Sequence, residues 1–174
     1  MGRLMNIFVT DKCPYKSAQY LDDKRVIKMI LETAQMLCTT YHVHSTISSK
    51  IIPYKPTHIN HPCNIWVRES KENFKWLVDH GLALCDEYEK RYNKVHKCWK
   101  IILWCDLYKD HISFSQNNIT PFINCARNKE LNIDFTKESN LFNAYKQYLN
   151  ERWKTDKKEP TWYGDRNRQL GFIL

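Results

Sequence analysis

Apolar residues recur at helical spacing along most of the chain. Between about Ser17 and Cys38, Ile27, Ile30, Leu31, Ala34 and Leu37 share one face, while Asp22, Asp23, Lys24, Lys28, Glu32 and Gln35 project elsewhere. A second amphipathic segment starts near His61-Pro62 and runs to about Tyr92, with Ile65, Trp66, Phe74, Leu77, Val78, Leu82, Cys85 and Tyr88 as its buried stripe. A third covers Val95 to about Tyr108 on Val95, Trp99, Ile102 and Leu103. A last one runs from Glu138 to about Trp153 on Leu141, Phe142, Tyr145, Tyr148 and Leu149. Between them, residues 39–60 are irregular, with Pro53 and Pro56 as helix breakers, and 110–135 is loop-like, with Thr120-Pro121-Phe122 docking on the core. A short apolar stretch, Ile7-Phe8-Val9, opens into a turn through Asp11-Lys12-Cys13-Pro14. A charged hinge, 154–159, leads to an aromatic tail, Pro160-Thr161-Trp162-Tyr163. No internal repeat or low-complexity tract interrupts this pattern, which predicts a mostly α protein: one compact helical domain over residues 1–174.

Charge changes the picture from fold to partner. Lys and Arg number 27 against 19 Asp and Glu, a formal +8, and aromatics make up 13% of the 174 residues. That combination favours nucleic acid over a merely soluble basic protein, because cations that neutralise phosphates release condensed counterions. The seven cysteines form no C-x-x-C pair, and no apolar run approaches the length of a membrane span. The expectation is an intracellular chain with reduced thiols serving as small core residues, and with no membrane partner.

Three clusters could carry chemistry. On the first helix, Asp22 and Asp23 stand beside Lys24, Arg25 and Lys28; this is either a solvated charged face or a carboxylate flanked by phosphate-binding cations. His58, His61 and Cys63 lie within six residues, but H-x-x-H-x-C matches no common metal spacing. His61 then reads either as a helix-start residue facing a groove or as a histidine satisfied in the core. In the tail, Trp162 and Tyr163 beside Arg166 and Arg168 suit base stacking with cations on the backbone, or else an aromatic plug that pins the C-terminus.

At these residues the sequence resembles the pyrimidine-dimer DNA glycosylases of the phage endonuclease V type. Met1-Gly2-Arg3 is similar to that family's opening, and the stretch from Ala18 to Val26 (AQYLDDKRV) resembles the helix carrying its catalytic carboxylate. His61 falls where the family has an active-site histidine, and Pro160-Thr161-Trp162-Tyr163 resembles its closing Pro-Thr-Trp-Tyr. The resemblance implies a compact helical bundle acting on double-stranded DNA with damaged or modified pyrimidines, as a monomer and without a metal or other cofactor. It implies a location inside the cell, the host cell if the chain is viral. It also implies a bifunctional glycosylase and AP lyase whose N-terminal amine attacks C1′ of the damaged nucleotide. An α-amine with a pKa of about 7.7–8.0 is about a tenth unprotonated at neutral pH, whereas a lysine near 10.4 is not. By the same resemblance the nucleophile is Gly2, exposed by removal of Met1; a start at Met5 would leave a methionine amine in that role. The carboxylate is Asp22 or Asp23, with Asp23 preferred on the solvated face, and aspartate stands where the phage enzyme has glutamate. Arg3, Lys24, Arg25 and Lys28 would contact phosphates, and Trp162, Tyr163 and Arg166 would meet the DNA. Two alternatives stay open: an enzyme on the same scaffold that acts on a nucleotide or modified base without imine chemistry, and a non-catalytic binder of nucleic acid or nucleotides.

Overall fold

The computed structural model describes residues 5–164. Six helices build it: α1 (Pro14–Tyr20), α2 (Asp23–His44), α3 (Pro62–Glu69), α4 (Lys71–Tyr92), α5 (Trp99–Leu107) and α6 (Leu141–Thr155). A single 3-10 turn, Lys109–His111, follows α5. A two-residue antiparallel hairpin pairs β1 (Arg127–Asn128) with β2 (Ile133–Asp134). The expected mostly helical bundle is therefore what the chain forms.

Two of the expected long helices are each divided in two, for local reasons. Leu21 and Asp22 are both extended, so α1 stops and α2 restarts with Asp22 at its N-cap. Ser70 is extended as well, and its hydroxyl accepts from the Asn73 N–H at 3.0 Å, capping α4 and ending α3. The next two amides, of Lys71 and Glu72, are satisfied by the carbonyls of Gln116 and Asn117, so the loop preceding Phe122 seals the start of α4. Proline occupies the first helical turn of both α1 and α3, where its missing N–H costs nothing. Asn93, left-handed at φ 52°, ends α4. The third helix begins at Trp99 rather than Val95, which lies 63% exposed in the preceding loop.

α4 packs against α1, α2, α3 and α5, and Trp66, Tyr41, Tyr145 and Phe74 are the largest side chains of the closed core. Phe122 docks as expected, against Trp66, Trp76 and Phe142. The seven cysteines are free thiols, five of them buried. The segment from Met5 to Thr10 is buried, with the Asn6 carboxamide oxygen accepting from the amides of Ile7 and Phe8.

The α2–α4–α5 contact leaves no spare volume at Gly81. A Cβ there would stand 2.7 Å from Thr33 Cγ2 and 3.0 Å from Ile102 Cδ1. Alanine gains up to about 1 kcal/mol of helix propensity, but overpacking against a buried β-branched side chain costs about 1–3 kcal/mol. Gly81→Ala is expected to lower Tm by about 2–6 °C in a thermal melt; an unchanged or raised Tm would show that Thr33 can turn aside.

Candidate functional site

The start of α2 is where the sequence-derived carboxylates meet the tail. Asp22 is 1% exposed; its Oδ1 accepts from Trp153 Nε1 at 2.7 Å, and its carboxylate pairs with Arg25 NH1 at 3.1 Å. Arg25 NH1 also donates to Asp156 at 2.7 Å, and Lys24 reaches the other Asp156 oxygen at 3.1 Å. Burial alone would push the Asp156 carboxyl up, but the bonds from Arg25 and Lys24 hold it below the ordinary carboxylate range. Asp23 has a quarter of its side chain exposed rather than lying on an open solvated face. It accepts from Arg91 at 2.9 Å and from the Thr161 hydroxyl at 2.6 Å, while its own N–H donates to the Thr161 carbonyl. Two aspartates thus clamp α6 and the tail onto the α1–α2 junction.

Two expectations change here. Arg25, expected on phosphate, has a side chain only 5% exposed and spans Asp22 and Asp156, so it orients carboxylates instead. Trp162, expected against DNA, is buried. Its indole N–H donates to the Tyr20 carbonyl at 2.9 Å and its ring meets Trp153 edge-on at 5.1 Å, which is the aromatic-plug reading of the tail. Tyr163 beside it remains half exposed. Gly2, Arg3 and Arg166 lie outside the described residues.

His61 stands apart from this cluster. It is the N-cap of α3, its Nδ1 accepting from the Cys63 N–H at 3.1 Å, and burial followed by neighbouring His58 lowers its pKa. The adjoining Asn64 amide bonds the carbonyls of Thr57 and His58 and touches Met5 Sδ at 3.2 Å, so α3 begins against the first described residues. Glu32, assigned from the pattern to the polar side of its helix, is buried at 3% exposure, one turn beyond Lys28 and in electrostatic reach of Cys63.

Beside the aspartates a groove of about 1000 Å³ opens. One wall is the stripe Lys24, Ile27, Lys28 and Leu31, at the i, i+3, i+4, i+7 spacing of a single helix face. The pattern placed Ile27 and Leu31 in the core; instead Ile27 is 40% exposed and both line the groove. Opposite stand Tyr88 and Tyr92 from the last turns of α4, with His96 and Tyr54. Tyr88 contacts Tyr92 and His96, each at 5.0 Å between ring centroids. Sequence reasoning missed this wall because Tyr88 keeps helical register with the core stripe, while Tyr92 ends α4 and His96 lies in the loop beyond it. The available signal was an aromatic and basic run, Tyr88 to Lys97, at the exposed end of a helix.

The arrangement can hold an extended anionic ligand with exposed ring faces, next to an Asp22–Asp23 pair fixed by arginines. Among the described residues no cluster of three His, Cys, Asp or Glu side chains could hold a metal ion, and no helix is long and apolar enough to cross a membrane. No curated protein and no solved structure gives a significant match to the chain. The family model described as pyrimidine dimer DNA glycosylase matches residues 5–100, which hold α1 to α4, both aspartates, His61 and the aromatic wall. With more than half of the sequence inside that match, the chain belongs to the pyrimidine dimer DNA glycosylase family.

Proposed function

We propose that the chain is a bifunctional DNA glycosylase and AP lyase that excises dimerised or modified pyrimidines from double-stranded DNA. The family match carries this reading, and the lysine-rimmed groove beside Asp22 and Asp23 supports it. The nucleophile is an α-amine at the start of the mature chain, Gly2 once Met1 is removed. Its nitrogen bonds to C1′ as the glycosidic bond breaks and the base leaves; loss of the ring oxygen from C1′ gives the Schiff base. A carboxylate stabilises positive charge developing on the sugar, then takes the proton whose removal drives β-elimination and strand cleavage. Asp23 is assigned that role because it keeps part of its carboxylate accessible, whereas Asp22 is enclosed and acts by orientation. Lys24 and Lys28, with Arg3, meet phosphates, Tyr163 and Arg166 extend that contact, and His61, the N-cap of α3, fixes the start of that helix.

Borohydride reduction during turnover on a dimer-containing duplex is expected to trap a covalent protein–DNA adduct, attached at the N-terminal residue by peptide mapping. Absence of a trapped species with both dimer and abasic duplexes would sink the lyase assignment. A second reading, a binder without turnover, is favoured by one observation: both aspartates are engaged in internal ion pairs. It requires DNA binding with neither base release nor strand cleavage.

A further inference from the structure

Resting on the reading of the chain as a DNA-acting enzyme, we propose that the groove between α2 and the Tyr88–Lys97 wall binds unpaired nucleotides, so that the protein is also a single-stranded DNA-binding protein. Two features separate this groove from a surface that merely follows a duplex. The first is its aromatic wall: Tyr88, Tyr92 and His96 cluster ring against ring along the concavity, with Ile27 and Leu31 opposite. A duplex offers convex phosphate ridges and keeps its base faces stacked away from protein. Only bases that have left the stack can lay their faces against aromatic rings inside a groove. The second is the rim. Lys94, Lys97 and Lys158 form no ion pair among the described residues, while Lys24 and Lys28, paired with Asp156 and Glu32, continue the basic edge along α2. The acidic groups facing the groove are Asp22, Asp156 and Glu159, and the first two are already committed to Arg25, Lys24 and Trp153. Lysines and tyrosines lining one groove reproduce the pairing of backbone neutralisation with base stacking by which sequence-tolerant single-strand binders work. A volume of about 1000 Å³ holds more than one base, which argues for a run of unpaired nucleotides rather than a single extruded one. The occupant is DNA rather than a free nucleotide because the cations spread over both walls instead of converging on one phosphate.

The test is fluorescence anisotropy with labelled, undamaged oligo(dT), alongside an undamaged duplex of equal length, with no turnover required. Wild-type protein is expected to bind oligo(dT) with strongly salt-dependent affinity. Tyr92→Leu and Tyr88→Leu, which keep apolar bulk but remove the ring, should each weaken it by about 5- to 100-fold while changing duplex affinity far less. Tyr92→Phe and Tyr88→Phe should retain it. Replacing Lys94, Lys97 or Lys158 by Gln should each reduce the slope of log affinity against log salt by about 0.7. Circular dichroism and a thermal melt confirm that each variant is folded; Tyr92 is 37% exposed and tolerates exchange. The proposal is overturned by no oligo(dT) binding at low salt, by Leu variants that bind like wild type, or by equal losses on duplex and single strand. Tighter binding of oligo(U) than of oligo(dT) would overturn the DNA assignment. Because the DNA is undamaged, loss of borohydride trapping would leave this result standing, and the converse also holds.

Discussion

Arg91→Met is expected to destabilise the protein by about 3–5 kcal/mol, the largest loss from any one side chain discussed. Its guanidinium, 2% exposed, donates through Nε and NH2 to Glu87 Oε2 at 3.1 and 2.9 Å. NH1 donates to the Leu21 carbonyl at 2.7 Å and to Asp23 at 2.9 Å. Four bonds from one planar group thus join the end of α4 to the α1–α2 break. Methionine fills similar volume, but it withdraws both Arg91 hydrogen bonds from the Glu87 carboxylate, itself 2% exposed, and strips the Leu21 carbonyl of a donor. Lysine restores charge but cannot span three acceptors in one plane, so Arg91→Lys should recover only part of the loss. Urea unfolding measures both, and in a melt the methionine variant should fall by about 6–20 °C. A loss below about 1 kcal/mol would mean that the junction relaxes and rehydrates. Because the same guanidinium holds Asp23, the lysine variant should also impair turnover more than its stability loss accounts for.

This junction shows what periodicity can and cannot convey. The stripe of Ile30, Ala34 and Leu37 is buried as its spacing demands, and the α6 stripe of Tyr145, Tyr148 and Leu149 is buried too. The same rule misplaced Ile27 and Leu31, because apolar spacing reports a nonpolar neighbour and does not distinguish a core from a ligand groove. Ile65, assigned to the buried stripe, is 46% exposed, because α3 buries the face carrying Cys63, Trp66 and Val67 instead. The break was itself written in the sequence, as Ser70 three residues before Asn73, yet a single serine inside a long helical period is a weak stop. Asp22 and Asp23 were legible as candidates from their position beside Lys24 and Arg25. Their partners Trp153 and Thr161, and the Asp156 that shares Arg25 with Asp22, lie more than 130 residues away, and only the fold brings them together. Glu32 read as a polar-face residue because isolated helix geometry cannot foresee which neighbour closes over that face.

Acidification from about pH 6.5 to about 4 is expected to destabilise the protein by up to about 3 kcal/mol through His80 alone. The ring is wholly enclosed, stacked on Trp76 at 5.1 Å between centroids, with Nδ1 3.0 Å from the Pro14 carbonyl. A carbonyl can only accept, so Nδ1 carries the proton in the neutral ring and Nε2 must bind the second. Nε2 meets no hydrogen-bond acceptor in good geometry among the described residues, and burial pulls the pKa down to about 4. The unfolded histidine titrates near 6.5, so between the two values the unfolded chain binds a proton that the folded chain refuses. Stability from this group is therefore full above about pH 6.5, falls as pH drops, and levels off near pH 4. His44, His61 and His96 are also lowered, each by burial first, and act with the same sign but less strongly because each is partly exposed. The depressed Asp156 carboxyl works in a lower window, its contribution present above the unfolded aspartate value near 3.9 and lost below it. His80→Gln keeps an amide donor for Pro14 and cannot titrate. Urea unfolding at half-unit pH steps should show wild type falling more steeply than this variant between pH 6.5 and 4, by close to one proton. Equal slopes would place the acid sensitivity elsewhere. Because His80 ties α4 to the start of α1, the element leading into the aspartate junction, the same steps should loosen α1 before global unfolding, read as earlier loss of its amide-exchange protection.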